Sequence, residues 1–152
     1  MADYISYIRN MVGHELVMMA AACAVVEDGE GRILLQKRSE GLWGLPGGIA
    51  ELGEALHETA VRETFEETGL VVEAESLVGV YSRYQATCAN GDMIQPVTAL
   101  FKMRVTGGEL TADGGETLDL RYFGKDEIPE IYSEQHKDMI ADWFTGKTGF
   151  FR

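Results

Sequence analysis

Hydrophobic positions change their spacing several times along the chain, and each change marks an element. Tyr4, Ile5, Tyr7, Ile8, Met11 and Val12 recur at helical spacing, which predicts a short amphipathic helix in residues 1–15, ahead of a single main domain at 16–152. Its apolar stripe suits packing against its own chain, with a homodimer contact as the alternative. Val17 to Glu27 is almost unbroken apolar sequence and predicts a buried strand; DGEG then turns the chain, and Arg32 to Arg38 (RILLQKR) predicts a second strand paired with the first as a hairpin. A glycine-rich loop, GLWGLPGGIAELGE, leads into a helix from Ala55 to Thr68, with Gly69 just past its end. Leu70 to Arg83 supplies one or two strands, NGD at 90–92 is a hairpin turn, PVTALFKMRVT is a further strand, and Leu118 to Phe123 is the last one. After Pro129, Ser133 caps a closing helix through His136, Met139, Ile140, Trp143 and Phe144. Strands with two or three helices and no regular βαβ alternation indicate an α+β fold with a mixed sheet.

Composition narrows the function. A chain of 152 residues with 45% apolar content fits one globular domain. Its net charge of −12 argues against stable nucleic-acid binding and against an anionic membrane surface, so a small anionic substrate would need local cations. Cys23 and Cys88 lie far apart without metal-ligand spacing and read as core thiols of a reducing compartment. The apolar run from Leu16 to Val26 is too short to span a bilayer and lacks a basic leader, which places the chain in the cytoplasm.

The helix before Gly69 ends in RETFEET, and Glu63, Glu66 and Glu67 stand in its last two turns. Acids there oppose the partial negative charge of a helix C-terminus, and Glu63 repels Glu67 at i,i+4. At 100° per residue the three carboxylates share an arc of about 100°, while Val61 and Phe65 point away from it toward a sheet. Clustered oxygen ligands suit Mg²⁺ or Mn²⁺, and a cation would offset the repulsion. A solvated acidic face is the alternative for three acids alone. Arg62 stands four residues before Glu66 and can fix its rotamer. The loop Leu45-Pro46-Gly47-Gly48 adds backbone carbonyls for a cation and N–H groups for phosphate.

Residues 48 to 70, GIAELGEALHETAVRETFEETGL, resemble the signature of the Nudix hydrolases, in which a glycine and a glutamate precede REUxEExGU, U being bulky and aliphatic. Gly48, Glu54, Arg62, Glu63, Glu66, Glu67, Gly69 and Leu70 match in register, and Thr64 departs at the first U, where it can pack through its methyl. The resemblance implies a Nudix-type α/β/α sandwich and hydrolysis of a nucleoside diphosphate linked to another group. It further implies that Glu63, Glu66 and Glu67 bind Mg²⁺ with a carbonyl of Gly47 or Gly48, that Glu54 holds loop and helix together, and that Arg62 orients a glutamate.

Hydrolysis of a pyrophosphate needs neutralised oxygens and an activated water, which divalent cations provide. Glu66 or Glu67 is the candidate base, with Glu116 of the ADGGET loop as rival. Arg38 and Arg83 are candidates for phosphate, and Trp43, Tyr81 and Tyr84 for stacking on a base. His14, His57 and His136 are not spaced as a ligand set and read as structural. GVYSRY, VTALF and ETLDLRYF resemble segments of ADP-ribose pyrophosphatase-type members, which favours ADP-ribose or a similar nucleoside-diphosphate sugar. The alternatives are a nucleoside triphosphate pyrophosphohydrolase, including one for oxidised purine triphosphates, and a non-catalytic nucleotide sensor.

Overall fold

The computed structural model describes residues 3–152. Its organising element is β1 (Val17–Val26), which pairs parallel with β7 (Met93–Gly108) and antiparallel with the short β4 (Gly47–Ile49). β5 (Leu70–Tyr81) lies antiparallel on the other side of β7, and β9 (Phe150–Phe151) extends the sheet beyond β5 in parallel; β6 (Ala86–Thr87) forms the NGD hairpin with β7. A second sheet has β2 (Ile33–Arg38) between β3 (Trp43–Gly44) and β8 (Thr117–Phe123). The helices are α1 (Tyr4–Val12), α2 (Leu56–Thr68) and α3 (Glu134–Trp143).

Alternation along the strands produces a sandwich. Cys23 and Val25 of β1 and Ile33 and Leu35 of β2 enter one core with Trp43, Tyr81, Leu100, Met139 and Ile140, which places α3 on that face. Ala22, Ala24, Val26 and Leu34 point the other way, into a second core with Ala60, Leu70, Val72 and Met103, under α2. Strands buried on both faces read as continuous apolar runs because neither face sees water. The alanines of β1 let α2 approach closely, and α2 answers with small residues: Thr59, Ala60, Thr64 and Thr68 are its buried contacts.

Several expectations are corrected. β1 and β2 do not form a hairpin: both edges of β1 are taken by β4 and β7, so only the bridge between Glu27 and Ile33 remains and β2 joins the other sheet. β8 is not the last strand. β9 follows it, too short for any periodic signal, and docks where Gly79 has no side chain: a Cβ there would lie 2.7 Å from the Phe150 carbonyl oxygen. Phe65 does not face the sheet but is 55% exposed, and Val61 is only half-buried, because the threonine face occupies the sheet side. The buried Thr64 packs there and its hydroxyl donates to the Ala60 carbonyl at 2.7 Å, so the polar atom is not left unpaired. Cys88 is exposed beside the β6–β7 turn, unlike the buried Cys23. No residue of α1 is buried, so its stripe does not pack as a core helix. Arg9 anchors it instead, donating to the carbonyls of Gly13, Glu15 and Met93 at 3.1, 2.7 and 2.7 Å. Among the described residues no helix is long and apolar enough to cross a membrane.

α3 begins at Ser133, whose hydroxyl accepts from the His136 N–H at 3.2 Å, as its sequence predicts. α2 ends at Gly69 in the left-handed conformation (φ 77°), its N–H bonded to the Phe65 carbonyl at 2.9 Å. A Cβ at Gly69 would lie 2.3 Å from the Glu109 carbonyl oxygen, so both conformation and space require glycine.

Candidate functional site

The site forms where β4, the loop after it and the second half of α2 meet, and Arg62 ties the three together. Its Nε donates to Glu54 Oε1 at 2.5 Å and its Nη2 to Glu54 Oε2 at 3.1 Å and to the Ile49 carbonyl at 3.2 Å. Nη1 reaches Glu63 Oε1 at 3.0 Å and Glu66 Oε2 at 3.3 Å. Glu54 also accepts from the Glu51 N–H at 2.9 Å and the Thr59 hydroxyl at 2.7 Å. These donors, Arg62 first, hold the Glu54 carboxyl down at about 2, so it is ionised throughout the neutral range. One guanidinium thus orients two acids of the helix and clamps the loop that precedes it.

The three helical glutamates share a face but not an environment. Glu66 is largely exposed and bonded only to Arg62, whereas Glu67 is 8% exposed. The Gly47 N–H donates to Glu67 Oε1 at 2.8 Å, and the Gln36 side-chain amide donates to its Oε2. Burial outweighs these two donors and pushes the Glu67 carboxyl up to about 8, with the charge of Glu63 adding to the rise. Glu63 is raised for the same first reason, burial, and then by the charges of Glu66 and Glu116. The exposed Glu116 therefore stands within electrostatic reach of the site, in a turn closed by Asp113 Oδ1, which accepts from the N–H groups of Gly115 and Thr117 at 2.9 and 3.0 Å.

A hard cation fits this donor set. Carboxylates confined at this density raise one another's proton affinity, and a bound cation reverses that effect. Gly48 leaves a cradle beside them: a Cβ at that position would lie 2.4 Å from Glu63 Oε1. Among the described residues no three His, Cys, Asp or Glu side chains stand close enough to enclose an ion alone.

The substrate candidates separate. Arg38 is half-buried with its guanidinium 4.3 Å over the Tyr132 ring, and its charge is felt at Glu67, so it borders the site. Trp43 and Tyr81 are core residues: Trp43 packs edge-on against Phe123, and Tyr81 is 0% exposed with its hydroxyl on Asp142 at 3.0 Å. Burial withdraws both from stacking on a base. Tyr84 is half-buried, donating to Asp138 at 2.6 Å, and Arg83 is exposed over the Tyr84 ring. A cavity of about 480 Å³ lined by Lys125, Ile128, Ile131, Ile140 and Phe144 shares no residue with the glutamates.

Two contributors escaped the sequence reading. Gln36 is 2% exposed and touches Glu67. His136 Nδ1 accepts from the Leu45 N–H at 3.0 Å, which places its ring proton on Nε2, directed to the Tyr132 hydroxyl oxygen at 2.9 Å. His136 thereby fixes the loop leading to Gly47. For Gln36 a signal existed: a polar residue two positions after Leu34, on the same face of the strand.

Comparison with known proteins gives the family. The chain is 37% identical over 134 residues to an ADP-ribose pyrophosphatase of Methanocaldococcus jannaschii, covering 83% of this chain and 76% of that protein. It is 36% identical over 126 residues to a Bacillus subtilis protein described as a candidate 8-oxo-dGTP diphosphatase, covering 82% and 79%. A crystal structure of a NUDIX hydrolase from Nitrosomonas europaea superposes with a TM-score of 0.68 at 27% identity, covering 88% of this chain and 79% of that one. Residues 17–144 match the NUDIX domain, and the chain belongs to the Nudix hydrolases, enzymes of nucleoside-diphosphate-linked substrates that use divalent cations.

Proposed function

We propose that this enzyme is a Mg²⁺-dependent pyrophosphohydrolase of ADP-ribose or a similar nucleoside-diphosphate sugar, cleaving between the two phosphates. The observation that carries the reading is the Arg62 knot, which sets Glu63 and Glu66 beside Glu67 and the side-chain-free backbone of Gly48. The ADP-ribose pyrophosphatase of M. jannaschii supports the choice of substrate.

Glu63, Glu66 and Glu67 would hold the cation, with backbone oxygen from the Gly47–Gly48 segment. When bound, it neutralises phosphate oxygens and lowers the pKa of an attacking water. Glu67 has both oxygens engaged by Gln36 and Gly47 and serves as a fixed ligand. Glu66 and Glu116 are the exposed acids able to take the proton of the water as it attacks phosphorus. The anhydride P–O bond breaks, and AMP and ribose 5-phosphate leave. Arg38, paired with Glu40 at 2.9 Å and stacked over Tyr132, is the candidate cation for a phosphate.

The second reading, removal of pyrophosphate from an oxidised purine triphosphate, is favoured by the B. subtilis relative. Incubation with Mg²⁺ and a panel of ADP-ribose, other nucleoside-diphosphate sugars, dinucleotides and triphosphates, followed by chromatography, separates the two. AMP and ribose 5-phosphate from ADP-ribose, with triphosphates spared, is the expected result. Monophosphate and pyrophosphate from triphosphates would establish the second reading, and saturable binding without turnover would make the protein a sensor.

A further inference from the structure

The buried polar residues under the site form a continuous chain. The Thr117 hydroxyl donates to Gln36 Oε1 at 2.6 Å, and the Gln36 amide nitrogen donates onward to Glu67 Oε2, with the Leu45 carbonyl 3.5 Å away. Thr117 is fully buried and follows directly on Glu116; its N–H is held by Asp113. Gln36 therefore sits between the loop that presents Glu116 and the acid at the base of the glutamate face.

With Glu67 as a carboxylate, both its oxygens accept, and the amide is arranged for that form: the NH₂ of Gln36 faces Glu67 and its carbonyl faces the Thr117 hydroxyl. An apolar residue would fill the same space, since Leu34, two positions earlier on the strand, faces the same core. A glutamine there leaves three buried polar groups to satisfy, and all three are satisfied by one another.

We propose that Gln36 is a positioning residue: it fixes Glu67 for cation binding and, through the Thr117 hydroxyl, couples that ligand to the loop carrying Glu116. This rests on the metal role of Glu67 in the proposed function. Groups that orient metal ligands by hydrogen bonding typically change metal affinity by about 10- to 100-fold when removed.

The test measures Mn²⁺ binding directly, by electron paramagnetic resonance of free Mn²⁺, on the intact protein and on Gln36→Met, Thr117→Val, Thr117→Ser and the Gln36→Met/Thr117→Val pair. Gln36→Met weakens binding by about 10- to 100-fold, Thr117→Val weakens it less, and Thr117→Ser, which keeps the hydroxyl, restores it. The double variant binds no more weakly than Gln36→Met, because both changes cut one chain. In turnover assays the Mg²⁺ concentration for half-maximal rate rises more than the KM for nucleotide. Unchanged Mn²⁺ affinity in folded Gln36→Met and Thr117→Val would overturn the proposal, whatever their melting temperatures. If Gln36→Met does not fold, the Thr117→Val and Thr117→Ser pair decides alone. Failure of the wild type to bind Mn²⁺ overturns the metal role itself, whereas Mn²⁺ binding sensitive to Gln36 without hydrolysis of any panel substrate overturns only the enzymatic reading.

Discussion

The two helices that cover the sheets are built on opposite priorities. α3 buries Met139 and Ile140 beside Gln135, His136 and Asp142, starts at a hydroxyl cap, has Glu134 in its first turn, where the helix dipole favours an acid, and pairs its one late acid, Asp142, with Arg152. α2 buries threonines, has at its cap only Ala55, whose N–H is held by Glu58 Oε2 at 2.8 Å, and ends in Glu66 and Glu67, where the dipole disfavours acids. α3 has one late acid, held by Arg152 and Tyr81, whereas α2 gathers three glutamates whose partners are Arg62, Gln36 and the Gly47 N–H. The candidate site lies on the helix that departs further from local preference, and its compensation comes from Arg62 within the helix and from Gln36 and Gly47 outside it.

Breaking α2 chemically gives the largest effect. Glu66→Gln lowers kcat at saturating Mg²⁺ by at least about a hundredfold, the scale of a lost acid–base group, while circular dichroism stays native. Near-normal turnover would remove Glu66 from the mechanism, and the same assay on Glu116→Gln decides between the two acids. Breaking α3 instead moves stability: Met139→Ala lowers unfolding free energy by about 2–5 kcal/mol, read by denaturant melts, with residual folded protein active.

A pH series sharpens the contrast. Burial, then the charge of Arg38, hold the folded His136 ring neutral down to about pH 3, whereas in the unfolded chain it binds a proton near its ordinary value of 6.5. A depressed folded pKa means that stability is fully present above about 6.5 and is lost as pH falls toward 3. Denaturant melts between those limits should follow this decline, and His136→Gln should flatten it. The smallest effect is at the α3 cap, where Ser133→Ala lowers stability by about 1 kcal/mol without changing KM.

The Arg62–glutamate cluster was legible because its residues are local. Glu54, Arg62, Glu63, Glu66 and Glu67 lie within 14 residues, and helix geometry alone sets the last four on adjacent positions of one face. The α3 cap, the NGD hairpin and the Gly69 stop were legible for the same reason. What escaped depends on distant partners. Gln36 is 31 residues from Glu67 and 81 from Thr117, and His136 is 91 from Leu45. Trp43 and Tyr81 resembled base platforms until burial placed them in the core, and Phe65 resembled a core residue until the threonines took its place.

The sequence by itself determined the helices and the long strands, the oxygen-rich helix face and the glycine that ends it, since each follows from spacing and backbone preference within one or two turns. Only the tertiary structure decided that β1 leaves β2 for β7, that Glu67 is buried while Glu66 is not, and that Gln36 bridges Glu67 and Thr117. Strand partners and burial are set by competition among all surfaces of the chain, and local spacing contains no record of that competition.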